Sequence, residues 1–89
     1  MNSAHRKTLA AIFSNPAPKN LEWAKVEALL SACGCRITEG TGSRVRISKG
    51  KNVLNAHRPH PGKEAKLYQV RDARGFLEQI GVNPGEEGA

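Results

Sequence analysis

The sequence predicts an α+β fold, a three-stranded antiparallel sheet with helices packed on one face. Apolar residues recur at steps of three and four in one stretch before the centre of the chain and in another after it, which is typical of amphipathic helices. Between them, one segment alternates strictly between apolar and cationic residues, which indicates a half-buried strand. A length of 89 residues provides one hydrophobic core. We therefore expect the order α-β-β-β-α, preceded by a short N-terminal helix.

The N-terminal helix is predicted to be short. Leu9 and Ile12 have helical spacing within residues 4–13. Residues 15–18 contain two prolines, which lack the backbone donor that a helix needs and so end it. We interpret residues 1–19 as a short helical preface followed by a proline-containing linker.

The second helix has the clearest pattern in the chain. Apolar residues recur at helical steps from Trp23 to Cys33, so we predict a helix over residues 20–33. Asn20 is a suitable N-cap, and Gly34 can adopt the left-handed conformation that ends many helices. The place of Trp23 in the apolar stripe predicts a core residue and not a stacking platform.

The last helix precedes a polar C-terminus. The pattern returns from Val70 to Ile80, and Gly81 is expected to end this helix. We predict that residues 83–89 form a disordered tail, since they are polar and rich in glycine. The folded domain is thus expected at residues 20–82.

The strands are expected between these helices. Val45 and Ile47 alternate with Arg44, Arg46 and Ser48, so one face of this strand should be buried and the other cationic. Lys49 and Gly50 can form a turn into a further strand. The three strands are predicted at residues 35–39, 44–48 and 52–56.

The charge predicts a polyanionic partner. The formal net charge is +6 and the isoelectric point is about 9.8. Ten of the fourteen basic residues lie between Arg36 and Arg74, against three acidic residues in the same segment. Such clustering indicates nucleic acid, and the alternative is a basic surface that serves only solubility.

The sequence also predicts the cellular compartment and whether the protein holds a metal or cofactor. No apolar run approaches the length that spans a bilayer, and the N-terminus lacks the features of a signal peptide, so we expect a cytoplasmic protein with no membrane partner. Cys33 and Cys35 flank one glycine, a spacing that fits neither a redox motif nor a standard zinc site. We predict free thiols, no metal and no cofactor.

Four features follow one another along the chain: the helix predicted over residues 20–33, the Gly40 to Arg44 turn that leads into a strand, the His60-Pro61 step, and the last helical segment ending at Gly81. In this order they resemble the motifs of the HicA toxin family. The resemblance covers about residues 21–82. It implies a fold like that of double-stranded RNA-binding domains and an endoribonuclease, a metal-independent mRNA interferase. It also implies neutralisation by a HicB-like antitoxin.

One position departs from the family pattern. The resemblance places a catalytic histidine directly after Gly42-Ser43 or one residue further on, where this chain has Arg44 and Val45. An arginine stays protonated near neutral pH, so it can stabilise the charge of a phosphorane but cannot act as a base.

Two histidines remain as candidates for acid–base catalysis. Imidazole titrates near neutral pH, and His57 and His60 are predicted on the proline-rich loop after the third strand. His60 also corresponds to a His-Pro step in the family. We predict that His60 or His57 carries the chemistry with Arg44 assisting, and the alternative is that the two rings fix the loop or stack on RNA.

A larger basic set is predicted to bind RNA through its phosphates. Its members are Arg44, Arg46, Lys49, Lys51, Arg58, Lys63, Arg71 and Arg74. Arg71 and Arg74 could equally meet an acidic surface of the antitoxin. Two further hypotheses stay open, a non-catalytic RNA-binding module on the same fold and a basic domain that mainly binds an acidic protein. The sequence leaves the oligomeric state open.

Overall fold

A computed structural model describes residues 1–85 and contains three helices and one sheet in that part of the chain. The elements are α1 (Ser3–Ile12), α2 (Trp23–Ala32), β1 (Arg36–Glu39), β2 (Arg44–Lys49), β3 (Asn52–His57) and α3 (Leu67–Gln79). The predicted α+β class and the α-β-β-β-α order after a short N-terminal helix are confirmed. The last four residues of the predicted tail, 86–89, lie outside the described residues.

The sheet is an antiparallel meander with β2 at its centre. Ile47 of β2 lies opposite Ile37 of β1 and Leu54 of β3, and Val45 lies opposite Ala56. These side chains form the inner face, which the helices cover, and both β2 residues are buried. The predicted alternation along β2 is confirmed, since Arg44 and Arg46, which alternate with the two buried residues, are exposed.

The core lies between the inner face of the sheet and the helices. Leu29 and Leu30 of α2 and Leu77 of α3 are fully buried there. Trp23 is 3% exposed, which confirms its prediction as a core residue. Its indole N–H donates a hydrogen bond of 2.5 Å to Oε2 of Glu27, so its polar atom is satisfied at the core boundary.

The helix α1 belongs to the same core. Leu9 and Ile12 are buried against α2 and α3. Arg74 of α3 donates hydrogen bonds of 3.0 Å each to the backbone carbonyls of Ile12 and Ser14, where α1 ends. The N-terminal preface is therefore fastened to the domain by apolar packing and by one arginine.

The start of α2 differs from the prediction. The N-cap residue is Glu22 and not Asn20, and its side chain makes no capping hydrogen bond. The cause is a tertiary contact: Glu22 has an extended backbone, and residues 21–23 pair with residues 63–65 through bonds such as Ala65 N–H to the Leu21 carbonyl at 2.7 Å. The end of α2 is as predicted, since Gly34 has a φ of +90°.

No helix within residues 1–85 is both long enough and apolar enough to cross a membrane.

Candidate functional site

The side of the sheet that the helices do not cover carries the candidate site, and we call it the outer face. The strand register places eight residues on it, in rows that run across the three strands. They are Arg36, Thr38, Arg44, Arg46, Ser48, Val53, Asn55 and His57. Three of the eight are arginines and none is acidic, so the outer face is strongly positive.

The central relationship on this face joins Arg44 and His57. They are directly opposite each other across the β2–β3 ladder. Side chains at opposed positions of an antiparallel pair are close neighbours on the same face. Both line an open cavity of about 360 Å³ whose wall also includes Gly40, Arg46 and Asn55. This volume is within the range of small-ligand sites.

The position of His57 corrects the sequence prediction. His57 is the last residue of β3 and not part of the loop, because its pairing with Arg44 extends the strand by one residue. Gln69 of α3, which is 4% exposed, donates a side-chain hydrogen bond of 2.6 Å to the His57 carbonyl. The Oε1 atom of Gln69 accepts from the Lys66 N–H at 2.9 Å. His57 is thus held by the sheet on one side and by α3 on the other.

His60 occupies a different environment. It lies in the loop between β3 and α3, is exposed, and does not line the cavity beside Arg44. The structure therefore brings together two of the three predicted catalytic residues, His57 and Arg44, and leaves His60 apart from them.

Arg58 points away from the outer face. Its Nε is 2.9 Å from Oε2 of Glu27, and its Nη1 is 2.7 Å from Oε1 of Glu39. Hydrogen bonds to Glu27, which has the larger effect, and to Glu39 raise the pKa of the guanidinium. This arginine links the end of β3 to α2 and β1, so its charge is already matched by carboxylates.

The other predicted RNA-binding residues are dispersed. Lys49 Nζ donates to the Cys33 carbonyl at 2.6 Å, and Lys63 Nζ lies 3.8 Å from Oε1 of Glu22. Lys51 is exposed in the turn between β2 and β3. Arg71 and Arg74 line a separate cleft beside the linker. Of the predicted set, only Arg44 and Arg46 share the outer face.

Five outer-face residues lie outside the set predicted from the sequence: Arg36, Thr38, Ser48, Val53 and Asn55. Arg36 lies opposite Ser48, and Thr38 and Asn55 lie on either side of Arg46. The signal for Arg36 was its alternation with Ile37. Thr38 and Asn55 are neutral, so a search for charge could not find them.

An exposed aromatic ring lies beside His57. Tyr68 of α3 is 56% exposed, and with Asn55 and His57 it lines a small recess of about 60 Å³. An exposed tyrosine next to a cationic face can stack on a nucleobase.

The two cysteines are free thiols in the structure. Burial raises the pKa of both Cys33 and Cys35, and for Cys35 the neighbouring Cys33 adds to this effect, while Lys49 opposes it in each case. Within residues 1–85, no group of three or more histidine, cysteine, aspartate or glutamate side chains is arranged to hold a metal ion.

A comparison with protein families assigns the chain. The family model described as HicA toxin of bacterial toxin-antitoxin matches residues 23–82, which is more than half of the chain. The chain belongs to the HicA family. The match runs from the first residue of α2 to just beyond α3, so α1 lies outside it. Among curated proteins and solved structures, no significant match was found. As a HicA toxin, the protein has the role of the toxin in a toxin–antitoxin pair.

Proposed function

We propose that this HicA toxin binds mRNA on the outer face of its sheet and cleaves it without a metal ion. In this proposal His57 is the acid–base residue and Arg44 stabilises charge on the reacting phosphate. The observation that carries it is the cross-strand pairing of His57 with Arg44 at the wall of a cavity. His57 is preferred over His60 because only His57 shares this cavity with an arginine.

The chemistry requires one proton to leave and one to be supplied. His57 accepts the proton of a ribose 2′-hydroxyl, and the oxygen attacks the adjacent phosphorus. The bond to the 5′-oxygen breaks, and that oxygen takes a proton from an acid or from water, leaving a 2′,3′-cyclic phosphate. Arg44 stabilises the negative charge that builds up on the phosphorus, since a fixed cation acts most strongly where charge develops.

The rest of the outer face supports binding. Arg36 and Arg46 extend the positive charge of Arg44 along β2 and onto β1, which suits a phosphate backbone. Asn55 offers neutral hydrogen-bonding groups in the same row as Arg46, and Tyr68 offers a ring for one base. In this proposal the partner is a HicB-like antitoxin that neutralises the toxin in the cytoplasm, where mRNA is found.

The test is an RNA cleavage assay with a metal chelator present. We expect His57→Ala to lower the rate by about a hundredfold or more, the usual contribution of an acid–base residue. Arg44→Ala should lower it strongly as well, whereas His60→Ala should have a small effect. His5→Ala, which changes a histidine of α1, is the matched control. Full activity in His57→Ala would overturn the assignment of this residue.

A second candidate function is a non-catalytic RNA-binding module. It is favoured by Arg44 itself, because the family resemblance expects a histidine at or beside this position and an arginine adds phosphate affinity without a base. In that case the chelated assay would leave RNA intact for every variant, while RNA would still bind with an affinity that falls as salt rises.

A further inference from the structure

A cleft on the helical side of the molecule remains without a role. It lies between the linker after α1 and the start of α3 and has a volume of about 620 Å³. We call it the linker cleft. Its walls are Asn15, Pro16, Ala17, Pro18 and Lys19 from the linker, and Ala65, Lys66, Leu67, Arg71 and Arg74 from α3 and the residues before it.

The charges on the linker cleft all have one sign. Lys19, Lys66 and Arg71 are exposed there, and no acidic residue lines it. Arg74 is the fourth cation, and its hydrogen bonds go to neutral backbone carbonyls, which leave its charge unmatched. A cleft with several cations and no anion attracts a negatively charged ligand.

The apolar residues that line the cleft favour a ligand that also carries an apolar group. Leu67 is 48% exposed although it is a large apolar residue, and two prolines and two alanines complete the apolar part of the lining. No aromatic side chain lines the cleft, so an RNA base has no ring to stack on. Cations around an exposed leucine fit an acidic peptide that carries an apolar side chain better than they fit RNA.

The linker cleft is also separate from the proposed RNA site. It shares no lining residue with the cavity of Arg44 and His57 or with the recess beside Tyr68. Its residues come from the helical layer, whereas the outer face belongs to the sheet. A ligand of the cleft therefore has no need to displace RNA.

We propose that the linker cleft binds an acidic segment of a protein partner. Carboxylates of this segment pair with Lys19, Lys66 and Arg71, and an apolar side chain packs on Leu67. Arg71 can form the paired hydrogen bonds that a guanidinium makes with a carboxylate. This inference does not depend on RNA cleavage, so either can fail without the other.

The test uses a short fluorescent peptide in which acidic residues flank a central leucine, measured by anisotropy with the full chain. One control peptide has amides in place of the carboxylates, and another has serine in place of the leucine. We expect the acidic peptide to bind and both controls to bind more weakly. The Lys19→Gln/Arg71→Gln variant should weaken the acidic peptide by about tenfold or more, as expected for the loss of two charge-assisted contacts. Leu67→Ser should weaken it several-fold.

A crossed control separates the cleft from the RNA site. Arg46→Gln on the outer face should weaken binding of a single-stranded RNA and leave the peptide unaffected, and the cleft variant should do the reverse. All substituted residues are exposed, and thermal unfolding checks that each variant is folded. The proposal is overturned if the acidic peptide does not bind, or if it binds the cleft variants as tightly as the unmodified protein. Equal loss of RNA binding in both variants would instead assign the cleft to the RNA path.

Discussion

The side-chain amide of Gln69 donates a hydrogen bond of 2.6 Å to the backbone carbonyl of His57. This contact joins the first turn of α3 to the end of β3, where the strand would otherwise have a free carbonyl. Gln69 is buried and its other polar atom accepts from the Lys66 N–H, so the amide has one orientation that satisfies both bonds. We therefore regard Gln69 as a positioning residue for His57.

Gln69→Glu tests this role with little change in shape. The carboxylate can still accept from the Lys66 N–H, but it cannot donate to the His57 carbonyl and turns an oxygen toward it. We expect kcat for RNA cleavage to fall about ten- to a hundredfold, because a small displacement of a catalytic group is costly. KM should change less, since the arginines of the outer face are untouched. Steady-state cleavage assays below the unfolding temperature measure both quantities.

Gln79→Glu is the matched control for Gln69→Glu. It makes the same substitution at an exposed site near the end of the same helix. Its kcat should equal that of the unmodified protein. If folded Gln69→Glu also keeps its full kcat, the position of His57 does not depend on this hydrogen bond.

Arg46→Gln should reduce the salt dependence of RNA binding. A contact between one cation and a phosphate releases about one counterion, so the slope of log affinity against log salt should become shallower by about 0.7 for single-stranded RNA. Binding titrations between about 50 and 200 mM salt measure this slope. Lys7→Gln removes one positive charge from α1 and should leave it unchanged. Equal slopes in Arg46→Gln and the unmodified protein would exclude Arg46 from the phosphate path.

Residue patterns predicted the fold well where local and tertiary preferences agree. Val45 and Ile47 were assigned to the inner face because their alternation matches the pleat of a strand, and the structure buries both. The predicted start of α2 was wrong, because Asn20 is a good N-cap only if the residues that follow it are not held in another pairing. Here residues 21–23 pair with a segment about forty positions away, and no local pattern reveals that.

The geometry of the candidate site could be predicted only in part from the sequence. Arg44 could be placed on an exposed strand face from the sequence alone. Its pairing with His57 depends on the register of β2 with β3. This pairing could not be predicted, because His57 was expected in the loop after the strand. The ion pair between Arg58 and Glu27 joins residues far apart in the chain. The sequence pattern does not reveal it, so Arg58 was predicted to be available for RNA binding.

The thiols of Cys33 and Cys35 should react slowly in the folded protein. Burial raises the pKa of both, so less thiolate is present at neutral pH than in an unfolded chain, and the thiolate is the reactive form. Alkylation by iodoacetamide, followed by mass spectrometry from neutral to alkaline pH, should be slower than in denaturant, with Cys35 slower than Cys33 because it is more buried. Equal rates in the folded and denatured protein would contradict the raised pKa of these thiols.

The packing of α1 predicts that the N-terminal segment stabilises the whole domain, although it lies outside the family match. Ile12, the last residue of α1, is fully buried in the core of the domain. Ile12→Ala removes buried methyl groups and leaves a cavity, which should lower the free energy of unfolding by about 2–5 kcal/mol. Urea denaturation measures this change, and Lys7→Ala at an exposed site of the same helix should cost less than about 0.5 kcal/mol. An Ile12→Ala variant as stable as the unmodified protein would show that α1 is detached from the domain in solution.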